Sequence, residues 1–289
     1  MRHSTLSEKL ALLPLVGQVH NWVIDYLTDR CHRTRYNGVV SAAATITASI
    51  VQGSGIGPVT FVINNSDLEP LCAGNLLVKY ADDTDLLVPA CNTPSIPNEM
   101  QRIASWSSAN NLVLNEAKSC ELVVRRPRGG GGFVLPPETP NIVRVHRLTM
   151  LGMTFDETLG FERHFDRSAG KAAQSMYALK VLRSHGLEGQ SLWDTTQATL
   201  LSSLMYGFPA WWGYTNAGNR DRFESIIRRL KRNGFLPTSF ATFNDLCTRA
   251  DNNLFNNILK NPSHVLYPSL FLSKKRVTYF GLEGITEKF

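Results

Sequence analysis

No stretch of the chain approaches the ~20 consecutive apolar residues that a membrane span needs. Runs such as Ala11 to Val16 and Leu86 to Val88 are short and interrupted, so no membrane partner is expected. The first residues, Met1, Arg2 and His3, lead into no apolar segment ending in small residues, which removes a secretion signal and points to an intracellular protein, nuclear or cytoplasmic. Cysteine is scarce: Cys31, Cys72, Cys91, Cys120 and Cys247 are odd in number, widely spaced and without a Cys-x-x-Cys pair. That excludes a disulfide frame and a zinc site, and argues against a disulfide-linked partner. His20, His32, His146, His164 and His185 lack metal-ligand spacing and read as structural.

What is present is globular. With 43% hydrophobic and 19% charged residues the chain can bury a core, and at 289 residues it is expected to divide into two or three domains. Thirty Lys and Arg against 24 Asp and Glu leave a net charge of +6, which favours a polyanionic partner such as nucleic acid.

Leu6, Leu10 and Leu13, then Val19, Trp22, Val23, Tyr26 and Leu27, recur at helical spacing and break at Pro14 and Gly17, predicting two helices. From Thr34 to Val51 small and β-branched residues take over, and Asn37-Gly38 marks a hairpin between Arg35-Tyr36 and Val39-Val40. Val59, Phe61, Val62, Ile63 and Leu68 predict a buried helix. Leu76 to Tyr80 and Leu86 to Val88 predict two strands joined through Ala81-Asp82-Asp83-Thr84. Ile96, Met100, Ile103 and Trp106 predict a helix ending at Asn110-Asn111, before a strand at Leu122-Val123-Val124. This interleaving of hairpins and helices is the pattern of an α+β, split βαβ sandwich and not of a doubly wound parallel sheet. Arg125 to Arg128 and Gly129 to Gly132 read as an exposed basic loop. Beyond Gly160 the pattern is helical, with apolar stripes at Phe165, Ala169, Ala172, Met176, Leu179 and Leu182, ended by Gly186, and at Phe223, Ile226, Ile227 and Leu230, ended by Gly234.

Three features could carry chemistry. Asp82 and Asp83 are adjacent carboxylates at a tight turn; a turn that bonds its own backbone is the structural alternative, but a divalent cation is the simplest relief for two neighbouring like charges. Asp85 is expected to point to the opposite face or the edge. The loop Gln52 to Pro58 alternates three glycines, so its backbone can approach a ligand closely, although a tight lead-in to a helix explains it equally well. Leu112-Val113-Leu114-Asn115 precedes Lys118, whose ammonium could protonate a leaving pyrophosphate or neutralise a triphosphate, or simply sit in solvent.

In this order the three features resemble the reverse transcriptases of jockey-like non-LTR retrotransposons, and the resemblance runs over nearly the whole chain. Gln52, Gly53, Ser54, Gly57 and Pro58 match the family's template and nucleotide loop, and Tyr80-Ala81-Asp82-Asp83 its metal-binding hairpin. Leu112, Leu114, Asn115 and Lys118 match its lysine motif, and Met150-Leu151-Gly152-Met153 its primer-grip turn. Leu159, Phe161 and His164 resemble the opening of the thumb, and Leu204 to Gly213 with Asp221-Arg222 the helical stretch of the jockey-like group. The resemblance implies a right-hand polymerase palm, a split βαβ sheet with helices on one face, over residues 1–157. A helical thumb over 158–236 and a helical tail over 237–289 would follow. It implies RNA-directed DNA synthesis from an RNA template and DNA primer with deoxynucleoside triphosphates, on two Mg²⁺ ions that Mn²⁺ could replace. Asp82 and Asp83 would be catalytic metal ligands, Lys118 the general acid, Tyr80 and Asn115 nucleotide contacts, and Leu151 and Gly152 the primer grip.

The family's first catalytic aspartate lies just before a segment like Arg2 to Leu6, and no Asp precedes Asp25 here, so little polymerase activity is expected of the isolated chain. The alternatives are a non-catalytic nucleic-acid-binding remnant and a relic gene fragment. For binding, Arg222, Arg228, Arg229, Lys231 and Arg232 crowd one helix near Trp211, Trp212, Tyr214 and Phe223, a combination suited to a phosphate backbone and exposed bases. A solvated helix face over an aromatic core is the competing reading.

Overall fold

In the computed structural model the described residues are 1–51, 53–125, 135–270 and 280–283. They fall into two units. One takes in Met1–Val123 with the described residues of Gly132–Val145 and Val277–Phe289; the other takes in the described residues of Val124–Gly131 and His146–Arg276. The expected boundaries at 158 and 237 do not coincide with this division.

In the first unit the break at Pro14 and Gly17 separates α1 (His3–Ala11) from α2 (Gly17–Leu27), as the spacing predicts. Their apolar faces meet: Leu6, Leu10, Val23 and Leu27 are buried together with Met1. The ribbon follows, with β1 (Cys31–His32) paired to β4 (Ala44–Thr45) and β2 (Arg35–Tyr36) to β3 (Val39–Val40). Asn37 and Gly38 have φ of +47° and +81°, the two left-handed residues of a type I′ turn, which is why Asn-Gly stands there.

Helix α3 (Gly57–Asn64) starts with Pro58 in its first turn, where the missing N–H costs nothing. It is not the buried apolar helix that its composition predicts. Thr60 and Asn64 are its buried residues, whereas Val59 and Val62 are 57% and 64% exposed. Strands β5 (Leu76–Tyr80) and β6 (Asp83–Leu87) form an antiparallel hairpin. Helix α4 (Ile96–Ala109) buries Ile103 and Trp106 with Leu68, Leu86 and Val88, and ends at Asn110 and Asn111, the latter at φ +56°. Strand β7 (Cys120–Val123) pairs in parallel with β8 (Val143–Val145) and antiparallel with β11 (Phe280–Glu283). The unit is α+β in composition, and its strands form separate small ladders instead of one continuous sheet.

The second unit opens with the hairpin of β9 (Arg147–Met150) and β10 (Met153–Asp156) and is otherwise helical. Helix α5 (Glu162–Ser184) is followed by α6 (Gly189–Thr196), a π-helical turn over Gln197–Leu201, and α7 (Ser202–Leu204). Then come α8 (Phe208–Trp211), α9 (Ala217–Arg232) and α10 (Phe243–Lys260). Gly186 and Gly234, at φ +94° and +73°, take the left-handed position after α5 and α9 that lets a helix stop without strain. Phe165, Met176, Leu179, Trp211, Phe223, Phe243 and Cys247 share one core, so α10 packs with the preceding helices instead of trailing as a separate tail. No helix among the described residues is long and apolar enough to cross a membrane, and no disulfide joins any of the five cysteines.

Candidate active site

The acidic turn is tighter than its sequence suggests. Tyr80 pairs with Asp83, so only Ala81 and Asp82 form the loop and Asp83 already belongs to β6. Ala81 sits at φ +52°, a conformation an alanine adopts only where the surroundings hold it, of the kind that concentrates at functional sites. Asp82 is exposed at the tip. Burial, and then the neighbouring charge of Asp82, push the Asp83 carboxyl above the ordinary carboxylate range.

Asp85 corrects a sequence expectation. Two residues along β6 it shares the side of Asp83, as strand alternation requires, instead of turning to the opposite face or the edge. It is 5% exposed, and its Oδ1 has no hydrogen-bond partner among the described residues. Burial and then the Asp83 charge raise its carboxyl to about 6. Among the described residues no group of three or more His, Cys, Asp or Glu is placed to hold a metal ion. As a donor set, this turn offers the two adjacent carboxylates of Asp82 and Asp83. It does not provide the third carboxylate that a bridged pair of ions calls for.

The glycine loop lies against this turn. A cavity of about 690 Å³ is lined by Gly53, Ser54, Gly57, Pro58 and Phe61 on one side and by Ala81 and Asp82 on the other. Gly53 needs its glycine, at φ +80°. At Gly57 a Cβ would come within 3.2 Å of Ser54 Oγ, which accepts the Gly57 N–H. Ser54 N–H in turn donates to Val51 O at 3.1 Å, so these two donors are used in shaping the loop. Gln52 lies outside the described residues.

Two lysines lock the far end of α3. Lys9 Nζ donates to Asn64 O, Asp67 Oδ1 and Asn110 Oδ1 at 2.5, 2.7 and 2.7 Å, and Lys79 Nζ donates to Asn65 O and Leu68 O at 2.6 and 2.8 Å. Cations at carbonyls that a helix end leaves unbonded complement its dipole. Through Lys79 they tie the glycine-loop helix to the acidic hairpin. Nothing in the sequence marks Lys9 or Lys79, since each partner is set by tertiary approach.

The remaining nucleotide residues are less well gathered. Tyr80 is 64% exposed on the outer face of β5 with Leu76 and Val78. Asn115 and Lys118 lie in the turn before β7, where Asn115 Oδ1 accepts the Lys118 N–H at 3.3 Å; that is a local structural bond, and neither residue lines the cavity.

In the second unit Leu151 and Gly152, at φ +46° and +81°, form the two-residue turn of the β9–β10 hairpin. Leucine is costly at that position. Tyr206 Cε1 lies 3.4 Å from where a Gly152 Cβ would stand, an ordinary contact, so it is the left-handed backbone that favours glycine at this position. On α9 the aromatic-basic reading divides. Trp211, Trp212 and Phe223 are core residues and cannot stack on bases. Arg222 is paired with Asp166 at 2.9 Å, and Lys231 donates to Phe240 O. Arg228, Arg229 and Arg232 are exposed and make no ion pair among the described residues.

Over 180 residues the sequence is 27% identical to the RNA-directed DNA polymerase from mobile element jockey of Drosophila melanogaster, covering 57% of this chain and 19% of that protein. Over 219 residues it is 22% identical to the probable RNA-directed DNA polymerase from transposon X-element of the same organism, covering 72% and 24% respectively. The chain is similar to jockey-type reverse transcriptases. It spans less than a quarter of the length of these curated relatives. No family model matches, and no solved structure does. Against the reverse-transcriptase motif order, the structure unites the glycine loop and Asp82 in one cavity and leaves Asn115 and Lys118 outside its lining.

Proposed function

We propose that this chain is the palm and thumb portion of a non-LTR retrotransposon reverse transcriptase, built to add deoxynucleotides to a DNA primer on an RNA template. The observation that carries this is the cavity in which Gly53, Ser54, Gly57 and Pro58 face Ala81 and Asp82, because a nucleotide needs backbone it can approach and carboxylates for its cation at one place. Asp82 and Asp83 would hold Mg²⁺ or Mn²⁺, and the chemistry such ions supply is activation of a primer 3′-hydroxyl and stabilisation of leaving pyrophosphate. Phe61 and Val62 give the cavity an apolar wall, and the Leu151–Gly152 turn would be the primer grip. Lys118 reaches a leaving group only if its turn closes over the bound nucleotide. Since the described residues supply only the Asp82–Asp83 pair, primer extension by this chain is expected at or near background.

The test is binding of a deoxynucleoside triphosphate followed by Mn²⁺ paramagnetic broadening. Cation-dependent binding that Asp82→Asn with Asp83→Asn abolishes is expected; binding indifferent to both substitutions would overturn the site. Extension of a DNA primer on RNA above the level of the double variant would overturn the expected inactivity. Arg228, Arg229 and Arg232, exposed and without carboxylate partners, favour a second reading, a nucleic-acid-binding module without catalysis. In that case duplex affinity falls steeply with salt while nucleotide binding is absent.

A further inference from the structure

A second cavity, of about 570 Å³, opens in the helical unit beside the β9–β10 turn. His164, Arg167, Ser168 and Lys171 reach it from α5, at the i, i+3, i+4 and i+7 spacing that puts them on one helix face. Ser202 and Ser203 reach it from α7, just after the π-helical turn, a distortion that recurs at functional sites. No acidic residue lines it, and neither Arg167 nor Lys171 pairs with a carboxylate among the described residues. By contrast, Arg222 and Arg125 in the same unit are each paired.

Beneath the two cations lies an unused polar group. His164 is 5% exposed, stands edge-on to Trp211 at 5.0 Å, and its Nδ1 has no hydrogen-bond partner among the described residues. Burial, then Arg167 and Lys171, hold the imidazole below its ordinary range, so it is neutral near pH 7. The Nδ1 atom itself is sealed from the cavity, so the imidazole belongs to the cavity wall and reports on what the cavity holds. Ser202 already donates to Ala198 O, while the Ser168 and Ser203 hydroxyls are uncommitted among the described residues. Two unneutralised cations and two uncommitted hydroxyls match a tetrahedral anion with several acceptor oxygens better than a planar carboxylate with two.

We propose that this cavity is a phosphate-binding site in which Arg167 and Lys171 neutralise the group and Ser168 and Ser203 donate to it, with His164 in the cavity wall. The phosphate could belong to a nucleic-acid strand or be free phosphate or pyrophosphate. Only the first source rests on the polymerase reading; the anion chemistry stands on the cavity alone.

The test titrates the isotopically labelled chain, in EDTA so that no cation bridges ligand to Asp82, with inorganic pyrophosphate and with a short RNA–DNA duplex, reading the His164 imidazole resonances. Saturable movement is expected, weakened about tenfold or more by Arg167→Gln with Lys171→Gln. For the duplex, the log–log salt slope should fall by about 2. Competition between the two ligands assigns the site to a strand phosphate, and movement with pyrophosphate alone to a free one; either supports it. If neither ligand moves His164, or if the double variant binds both as tightly as the unaltered chain, the proposal is overturned. Mn²⁺-dependent nucleotide binding at the Gly53–Asp82 cavity, read separately on the Arg167→Gln, Lys171→Gln variant, should persist, so failure of this site and failure of the polymerase reading are distinguishable.

Discussion

In the helical unit Phe165, Phe208, Trp211, Phe223, Phe235 and Phe243 are fully buried around one centre, with rings such as Phe165 and Trp211 meeting edge to face at 5.0 Å. The unit carrying the acidic hairpin has two smaller apolar clusters and closes the gaps with buried charge. Glu99, fully buried, accepts Leu71 N–H, Cys72 N–H and Asn75 Nδ2 at 3.0, 2.9 and 2.8 Å. Glu121 takes the Arg144 guanidinium at 2.5 Å, with the Thr139 N–H at 3.1 Å. The lesson is that the second unit is held by area, which tolerates exchange of similar volume, and the first by directional contacts, which do not.

The largest expected effect tests the area side. Trp211→Ala removes the ring at the centre of the aromatic core and should cost about 3–5 kcal/mol, seen in urea as early unfolding of the helical unit. If hydrogen exchange then shows α4 and β7 equally weakened, the two units are one cooperative body and the contrast fails. Next, Glu99→Ala leaves two part-buried backbone N–H groups and the buried Asn75 amide without their acceptor. A loss of about 2–4 kcal/mol is expected in the first unit alone, and a change below about 1 kcal/mol would show that its buried charge is incidental.

The smallest effect has the opposite sign. The Asp85 carboxyl is raised from 3.8 to about 6, so the folded chain binds this proton more readily than the unfolded one. Its contribution is therefore most favourable below about pH 4 and is lost as pH rises toward 6, leaving a penalty of roughly 2–3 kcal/mol at pH 7 in cation-free buffer. Asp85→Asn should stabilise the first unit by up to that amount at pH 7 and flatten its stability between pH 4 and 6. Unchanged midpoints at both pH values would mean that the carboxylate is relieved by another route.

Local chemistry was well written in the sequence. The helix stops at Gly186 and Gly234, the Asn37-Gly38 turn and the end of α4 at Asn110-Asn111 all follow from backbone preferences of two or three adjacent residues. The site was legible in part: Asp82 and the glycine loop were picked out one by one, and the cavity joins them. Lys118 and Asn115 were picked out as well, but lie outside its lining. Lys9, Lys79 and Glu99 went unmarked, and His164 read as structural, because a lone charged or polar residue acquires its role only from groups tens of residues away.

By itself, then, the sequence determined the turn types, the helix spans, the aromatic core of the second unit and the likeness to jockey-type polymerases, because each is set by local conformation or by motif order. Tertiary structure alone decided that α3 shows an apolar face to a cavity, that Asp85 is buried beside Asp83, and that His164 Nδ1 is buried with no hydrogen-bond partner among the described residues. Those depend on which surfaces meet, and burial, more than residue type, sets the cost of a charge or an unbonded polar atom.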